Sequence, residues 1–394
     1  MSLQLGHVKG ISIRLHFTLI ITFFLIDWTL STYFMPDYVK GLTSADYWIM
    51  GSIATVLLFF SILLHELAHS LVATRYGIPV KSITLFIFGG VSDIAKEPRD
   101  FHQEFKMSIV GPLASFGLAA ILALLLWLIL HSNTNSVSTI AYFGQIKGIL
   151  FYGAIVNAML GVFNLVPAFP LDGGRVLRAG LVRWKKDYHQ ATKIATTIGV
   201  LISYIFMGFG FMVLLGGDFI GGLWIVLIGW FLHSGAQSYM SQFELTTSLK
   251  GIIVSNIMNT RIISVKQDAS VDFVLKNFFM TSMKSELPVT DEQGHLLGMI
   301  TLKGILSVPE NQRENVRVQD IMIPPRYLAV MDYHAQAEKA LLQMVQKRVG
   351  KVFVCDAEGK LLGVVSKTDI IELASERQKY LQTLKKDNTA STLT

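Results

Sequence analysis

Hydrophobic and polar positions fall along the chain in two regimes. Up to about Met240 the apolar runs are long and nearly unbroken, whereas from Lys250 onward polar and apolar positions mix as in a soluble domain. A helix crossing a bilayer needs roughly 20 mostly apolar residues. Six stretches meet that length, at about 17 to 35, 47 to 73, 106 to 130, 147 to 169, 194 to 215 and 219 to 239. The polar stretch with Lys9 and Arg14 leads into the first of them without a small-residue cleavage site, so it reads as a retained span rather than a signal peptide. The pattern predicts a polytopic α-helical membrane domain over 1–245 and a soluble α/β domain over 246–380. A tail over 381–394, rich in Asn, Thr and Ser after Lys385, is expected to be disordered.

Composition agrees with a protein of the lipid bilayer: 52% of residues are hydrophobic and 16% charged, with a mean hydropathy of +0.48. The net charge of +6 is set by where the cations lie. Arg75, Lys81, Lys96, Arg99 and Lys106 follow the second span, and Arg175, Arg178, Arg183, Lys185, Lys186 and Lys193 follow the fourth. The loop from His131 to Gln145 and the turn from Gly216 to Phe219 contain no Lys or Arg. The positive-inside rule then predicts a multi-pass protein of the cell membrane with both termini cytoplasmic, as an even number of spans also requires. No basic-aromatic motif points to nucleic acid as a partner. The single cysteine, Cys355, excludes an internal disulfide and a Cys-rich zinc site, and in the strand-like run after Val352 it reads as a buried core residue.

The second span contains Leu63-Leu64-His65-Glu66-Leu67-Ala68-His69-Ser70. At 3.6 residues per turn His65 and His69 project from one face, one turn apart, a spacing that suits two imidazoles on one zinc. Glu66 beside them is placed to accept a proton from a water acidified by the metal. The bland alternative is a polar cluster bonding between helices, but three ionisable groups in five apolar-helix positions are costly unless they coordinate something. A zinc hydrolase keeps three protein ligands and one open position. Among candidates for the third, Arg14 and His16 sit where the first span begins and are expected to snorkel to the interface. Asp27 is expected to face the bundle, and His233 to lie at the cytoplasmic end of the sixth span. None of these comes with a motif. Asp172-Gly173-Gly174 by itself reads as a turn whose functional role is open.

The segment Asn164-Leu165-Val166-Pro167-Ala168-Phe169-Pro170-Leu171-Asp172-Gly173 resembles the NxxPxxxxDG signature of the site-2 protease family. Together with His-Glu-Leu-Ala-His in an apolar helix, the resemblance implies an intramembrane zinc metalloprotease. It implies Zn2+ held by His65, His69 and Asp172, with Glu66 as general base and then general acid. Asn164 would lie near the catalytic centre, orienting substrate or stabilising the oxyanion. The substrate implied is a membrane protein cut in or near a transmembrane helix. The residues are compatible: Pro167 and Pro170 break the fourth span and free backbone to bring Asp172 inward. His69 lies roughly 9 Å of helix rise before Arg75, and Asp172 just precedes Arg175, so both belong to the cytoplasmic third of the membrane. Gly111-Pro112 also resembles the family's pattern. Ile83 to Ile94 reads as two short strands around Gly89-Gly90, either an edge that takes substrate by strand addition or a loop packed on the bundle.

The soluble half repeats itself after about 65 residues. Asn256-Ile257-Met258 matches Asp320-Ile321-Met322, and Gly294-His295-Leu296-Leu297-Gly298 matches Gly359-Lys360-Leu361-Leu362-Gly363. The pair, over about 251–308 and 316–375, resembles tandem CBS domains. That resemblance implies adenine nucleotide binding (ATP, ADP or AMP), with Ser366, Thr368 and Asp369 as contacts in the second motif. The first motif, Thr301-Leu302-Lys303-Gly304, lacks the Asp, so one nucleotide site at most is expected. The same residues could instead cap the following helix, leaving the pair as a module for interaction or homodimer formation. Two other classes share the metal ligands: a zinc transporter and a catalytically silent membrane receptor, each with a CBS regulatory module.

Overall fold

The computed structural model describes residues 2–391 except 88, 95–97, 99, 132–136, 283 and 348. Lys96 and Arg99 of the basic loop, part of the cation-free loop, and residues 392–394 of the tail therefore lie outside the described residues. The chain divides into two compact units, Met1–Met240 and Ser241–Thr394.

The first unit opens with two strands, β1 (Ser2–Val8) and β2 (Ile11–His16), where the sequence suggested only a polar lead-in. The first membrane-length helix follows as α1 (Thr18–Thr29), a π-helical stretch over Leu30–Phe34 and α2 (Met35–Tyr38). Next come α3 (Ser44–Arg75), β3 (Val80–Phe86), β4 (Gly89–Ile94), α4 (Phe101–Leu130) and α5 (Val137–Asn164). The unit closes with α6 (Asp172–Lys185), α7 (Tyr188–Leu215) and α8 (Phe219–Ser248). Among the described residues, six helices are long and apolar enough to cross a membrane. The fourth stops at Asn164, ahead of both prolines, and the sixth runs on to Ser248, so His233 sits in mid-helix rather than at its end. There its Nδ1 lies 3.3 Å from Ser203 Oγ of α7.

These helices are built inside out compared with those of a soluble protein. On α7 the buried residues are Ala191, Thr192, Ala195, Thr196, Gly199, Ser203 and Gly210, while Leu201, Ile205, Phe209 and Met212 are exposed. Lipid is as apolar as leucine, so burial goes to small residues that let helices approach closely. A Cβ on Gly229 of α8 would stand 2.9 Å from the Ser203 carbonyl oxygen of α7. Asp27, buried as expected, accepts hydrogen bonds from Ser31 and from Ser52 of α3.

The four strands form one sheet in the order β1-β2-β3-β4, with β2 and β3 parallel. The expected hairpin is therefore half of a larger sheet. Its glycines are not at the turn: Gly89 and Gly90 begin β4 and pair with Phe86 and Leu85. One face of the sheet packs on α3 and α4 through Ile11, Val80, Ile83, Ala73 and Met107.

The second unit contains two three-stranded sheets of identical plan. In one, β5 (Val265–Lys266) runs parallel to β6 (Glu286–Thr290), which is antiparallel to β7 (Leu296–Thr301). The other repeats this with β8 (Val330–Asp332), β9 (Lys351–Cys355) and β10 (Leu361–Ser366). The repeated motifs meet reciprocally. Met258 packs on Gly363 of the second repeat and Met322 on Gly298 of the first, with backbone bridges Asn259–Val364 and Met299–Ile323 beside them. The last helix, Lys367–Ser391, continues through 381–391, the part expected to be disordered. That segment contains no glycine or proline to stop a helix. Cys355 is buried, and burial, helped by the neighbouring Asp356 charge, pushes its thiol up to about 11.

Candidate metal centre

His65 and His69 stand one turn apart on α3, and both are buried. Asp172 is the first residue of α6, just beyond the helix break at 165–171. Its Oδ2 lies 3.0 Å from Nε2 of His65 and 3.1 Å from Nε2 of His69, and the two nitrogens are 3.2 Å apart.

The opposite edges of the two rings are fixed by α4. Nδ1 of His69 donates to the Met107 carbonyl, and Nδ1 of His65 lies 2.9 Å from Ser115 Oγ. A carbonyl only accepts, so His69 carries a proton on Nδ1, which leaves Nε2 as the ring atom available to a cation. With Nε2 of His65 and Oδ2 of Asp172 it makes three donor atoms that a single cation would hold together. The edges match one: a tetrahedral zinc with bonds of about 2.0–2.1 Å spaces its donors by about 3.3 Å. Room for the ion comes from Gly111, where a Cβ would stand 2.1 Å from His69 Nε2 and 2.7 Å from His65 Nε2. Two imidazoles, one carboxylate and outer hydrogen bonds that fix both rings thus form a donor set suited to zinc.

Met107, Gly111 and Ser115 follow one another at four-residue spacing, so a single face of α4 is presented to the paired histidines. The sequence marks Gly111 only through the Gly111-Pro112 pair, and Met107 and Ser115 belong to no motif. Their spacing was the available signal, but nothing local says which face of which span turns toward α3.

Glu66 stands on α3 beside this pair, half-buried. Its Oε2 accepts a 2.6 Å hydrogen bond from Ser92 of β4, and a Cβ on Gly90 would stand 2.5 Å from its Cγ. The edge strand of the sheet therefore lies directly on the Glu66 side chain. The amide of Asn164 donates to the Leu160 carbonyl one turn back in its own helix, not to any of these residues. Arg14 and His16 lie on β2, and His16 pairs with Thr18.

In the second unit, Ser366 and Asp369 cap the following helix reciprocally: the Ser366 amide donates to Asp369 Oδ2 and the Asp369 amide to Ser366 Oγ. Both residues also line a cavity of about 230 Å³ with Arg261, Lys284 and Lys351, whereas Thr368 is not among its walls. In the first motif, Thr301 caps its helix through the Gly304 amide.

Comparison with known proteins agrees with both halves. Residues 53–206 match peptidase family M50, and residues 254–311 and 318–376 each match the CBS domain. A zinc metalloprotease of Methanocaldococcus jannaschii is 32% identical over 378 residues, covering 95% of this chain and 96% of that protein. Rip3 of Mycobacterium tuberculosis, also named as a zinc metalloprotease, is 29% identical over 323 residues, covering 82% of this chain and 80% of that one. Among solved structures, a site-2 protease from M. jannaschii aligns over 61% of this chain and 95% of its own, at 34% identity and a TM-score of 0.42.

Proposed function

Because the chain belongs to peptidase family M50, the site-2 proteases, and is a zinc-dependent multi-pass membrane protease, we propose that it hydrolyses a peptide bond in or near a transmembrane segment of a membrane-protein substrate. The observation that carries this reading is the convergence of His65 Nε2, His69 Nε2 and Asp172 Oδ2 within 3.2 Å of one another in the bundle. These three side chains would hold the zinc. When bound, zinc supplies a Lewis acid that polarises the scissile carbonyl and acidifies the attacking water.

Glu66 takes a proton from that water as its oxygen bonds to the carbonyl carbon. As the carbon–nitrogen bond breaks, Glu66 returns the proton to the leaving amine. Ser92 holds the carboxylate in place by donating to Oε2. Asn164, at the end of α5, orients the substrate or steadies the oxyanion after its side chain turns away from Leu160. A helical substrate shields its carbonyls, so it must unwind first; the edge of β4, lying on Glu66, offers strand pairing to the extended segment. The distribution of cations supports cleavage near the cytoplasmic face, with both termini cytoplasmic.

The boundary of the protease domain is placed near residue 245, with the CBS pair over 246–380. In that pair, Arg261 and Lys284 offer positive charge for the phosphates of ATP, ADP or AMP beside an ion pair of Lys351 with Glu286, and Ser366 and Asp369 offer ribose contacts. Homodimer formation through the CBS pair belongs to the same reading.

A Glu66→Gln variant tests the catalytic assignment. It should retain zinc and fold but lose cleavage of a fused single-span substrate; persistent cleavage would falsify the assignment. Zinc flux through reconstituted vesicles without cleavage would favour a transporter instead. For the second unit, the full chain titrated with ATP and AMP in a calorimeter should give heat, and no heat with either nucleotide rejects the nucleotide reading.

A further inference from the structure

Arg178 of α6 is 1% exposed, six positions beyond Asp172. Its Nε donates to Glu104 Oε1 at 2.6 Å, Nη2 lies 2.5 Å from the same oxygen, and Nη1 donates to the Tyr239 hydroxyl. The guanidinium carbon also lies 4.8 Å from the Tyr188 ring centroid, 5.1 Å from that of Phe169 and 5.4 Å from that of Tyr239. One side chain thus ties together α4, α6, α7, α8 and the segment that precedes the metal site. Glu104 is itself 2% exposed. A buried ion pair is often no more stabilising than apolar residues of the same volume, because both charges lose their hydration. What such a pair does supply is a defined register between the elements it joins.

The elements joined are those that determine where Asp172 stands. Glu104 lies one turn before Met107 on α4, the helix whose next turns face both imidazoles. Phe169 lies in the break between α5 and α6, three residues before Asp172. Its ring is stacked 4.4 Å from that of Tyr239, and its backbone lies so close to Gly199 of α7 that a Cβ there would be 2.8 Å from its oxygen. A carboxylate on a segment that follows two prolines has no helix to fix it from the N-terminal side. The clamp supplies that constraint from the C-terminal side, through α6, and from above, through Phe169.

We propose that Arg178 is a positioning residue for the third metal ligand: with Glu104 and Tyr239 it sets the distance of Asp172 from the two imidazoles. The proposal rests on the reading of Asp172 as a ligand. It goes further in assigning metal retention to a residue that does not touch the metal site.

The test uses the purified full chain in detergent, loaded with Zn2+ or with Co2+ as a spectroscopic probe. Arg178→Lys keeps the charge but loses the fork and the stacking. Tyr239→Phe removes only the hydroxyl and should leave the fold intact. Zinc release to a chelator should be on the order of 10-fold faster in Arg178→Lys and a few-fold faster in Tyr239→Phe. The cobalt d–d bands should shift in both. Release at the wild-type rate with an unchanged cobalt spectrum overturns the proposal, even if the thermal midpoint falls, since a purely structural role would move stability alone. If Arg178→Lys does not fold, Tyr239→Phe decides by the same two readouts. An Asp172→Asn control separates the premises. Wild-type release there rejects Asp172 as a ligand, whereas fast release there with unchanged release in the clamp variants rejects the clamp.

Discussion

Gly111 of α4 faces His69 of α3 so closely that a Cβ at position 111 would stand 2.1 Å from the ring nitrogen Nε2. The imidazole cannot simply rotate away, because its other nitrogen is bound to the Met107 carbonyl. Gly111→Ala is therefore expected to weaken zinc binding on the order of 10–100-fold. Gly117→Ala on the same helix, where a Cβ meets nothing within 4 Å, should bind as wild type. Competition with a fluorescent chelator measures both, and equal affinities would remove the role given to Gly111.

Ser92 reaches Glu66 across 26 positions of sequence with a 2.6 Å hydrogen bond. Deleting its hydroxyl should free the carboxylate without disturbing the metal. Ser92→Ala should thus lower kcat about tenfold at unchanged zinc content. Loss of zinc in that variant would show instead that β4 supports the metal centre as a whole.

In the second unit the reciprocal seats of Met258 on Gly363 and of Met322 on Gly298 leave no space for a methyl group. A Cβ on Gly363 would stand 2.5 Å from Met258 Sδ, and one on Gly298 would stand 2.7 Å from the Ile323 carbonyl oxygen. Alanine at either position should destabilise the CBS pair by about 1–3 kcal/mol. Gly298→Ala should cost more, because backbone yields less readily than a methionine side chain. Thermal unfolding of the full chain followed by limited proteolysis would detect this, and undiminished resistance in both variants would contradict the packing.

Cys355 should be a poor nucleophile. Burial pushes its thiol up to about 11, so at pH 8 the reactive thiolate is scarce, and its fraction grows only as pH rises toward that value. Alkylation of the native chain should be slow at pH 8 and fast after denaturation. Rapid native labelling would mean that the strand bearing it opens readily.

What the sequence determined by itself is whatever lies within one element or one repeat. Span length and hydropathy, the one-turn spacing of His65 and His69, the proline break before Asp172 and the matched motifs of the soluble half depend on neighbours along the chain. All of them are visible without a partner. The tertiary structure alone decided which faces meet. The ring of His65 finds Ser115 fifty positions away and Asp172 across 107. The polar lead-in becomes two strands only because β2 finds β3 to pair with, and Arg178, read at first as one more cation of a basic loop, is buried against Glu104. Polar groups in a bilayer are stable only where their partners are, and those partners are set by packing between helices, which local spacing does not encode.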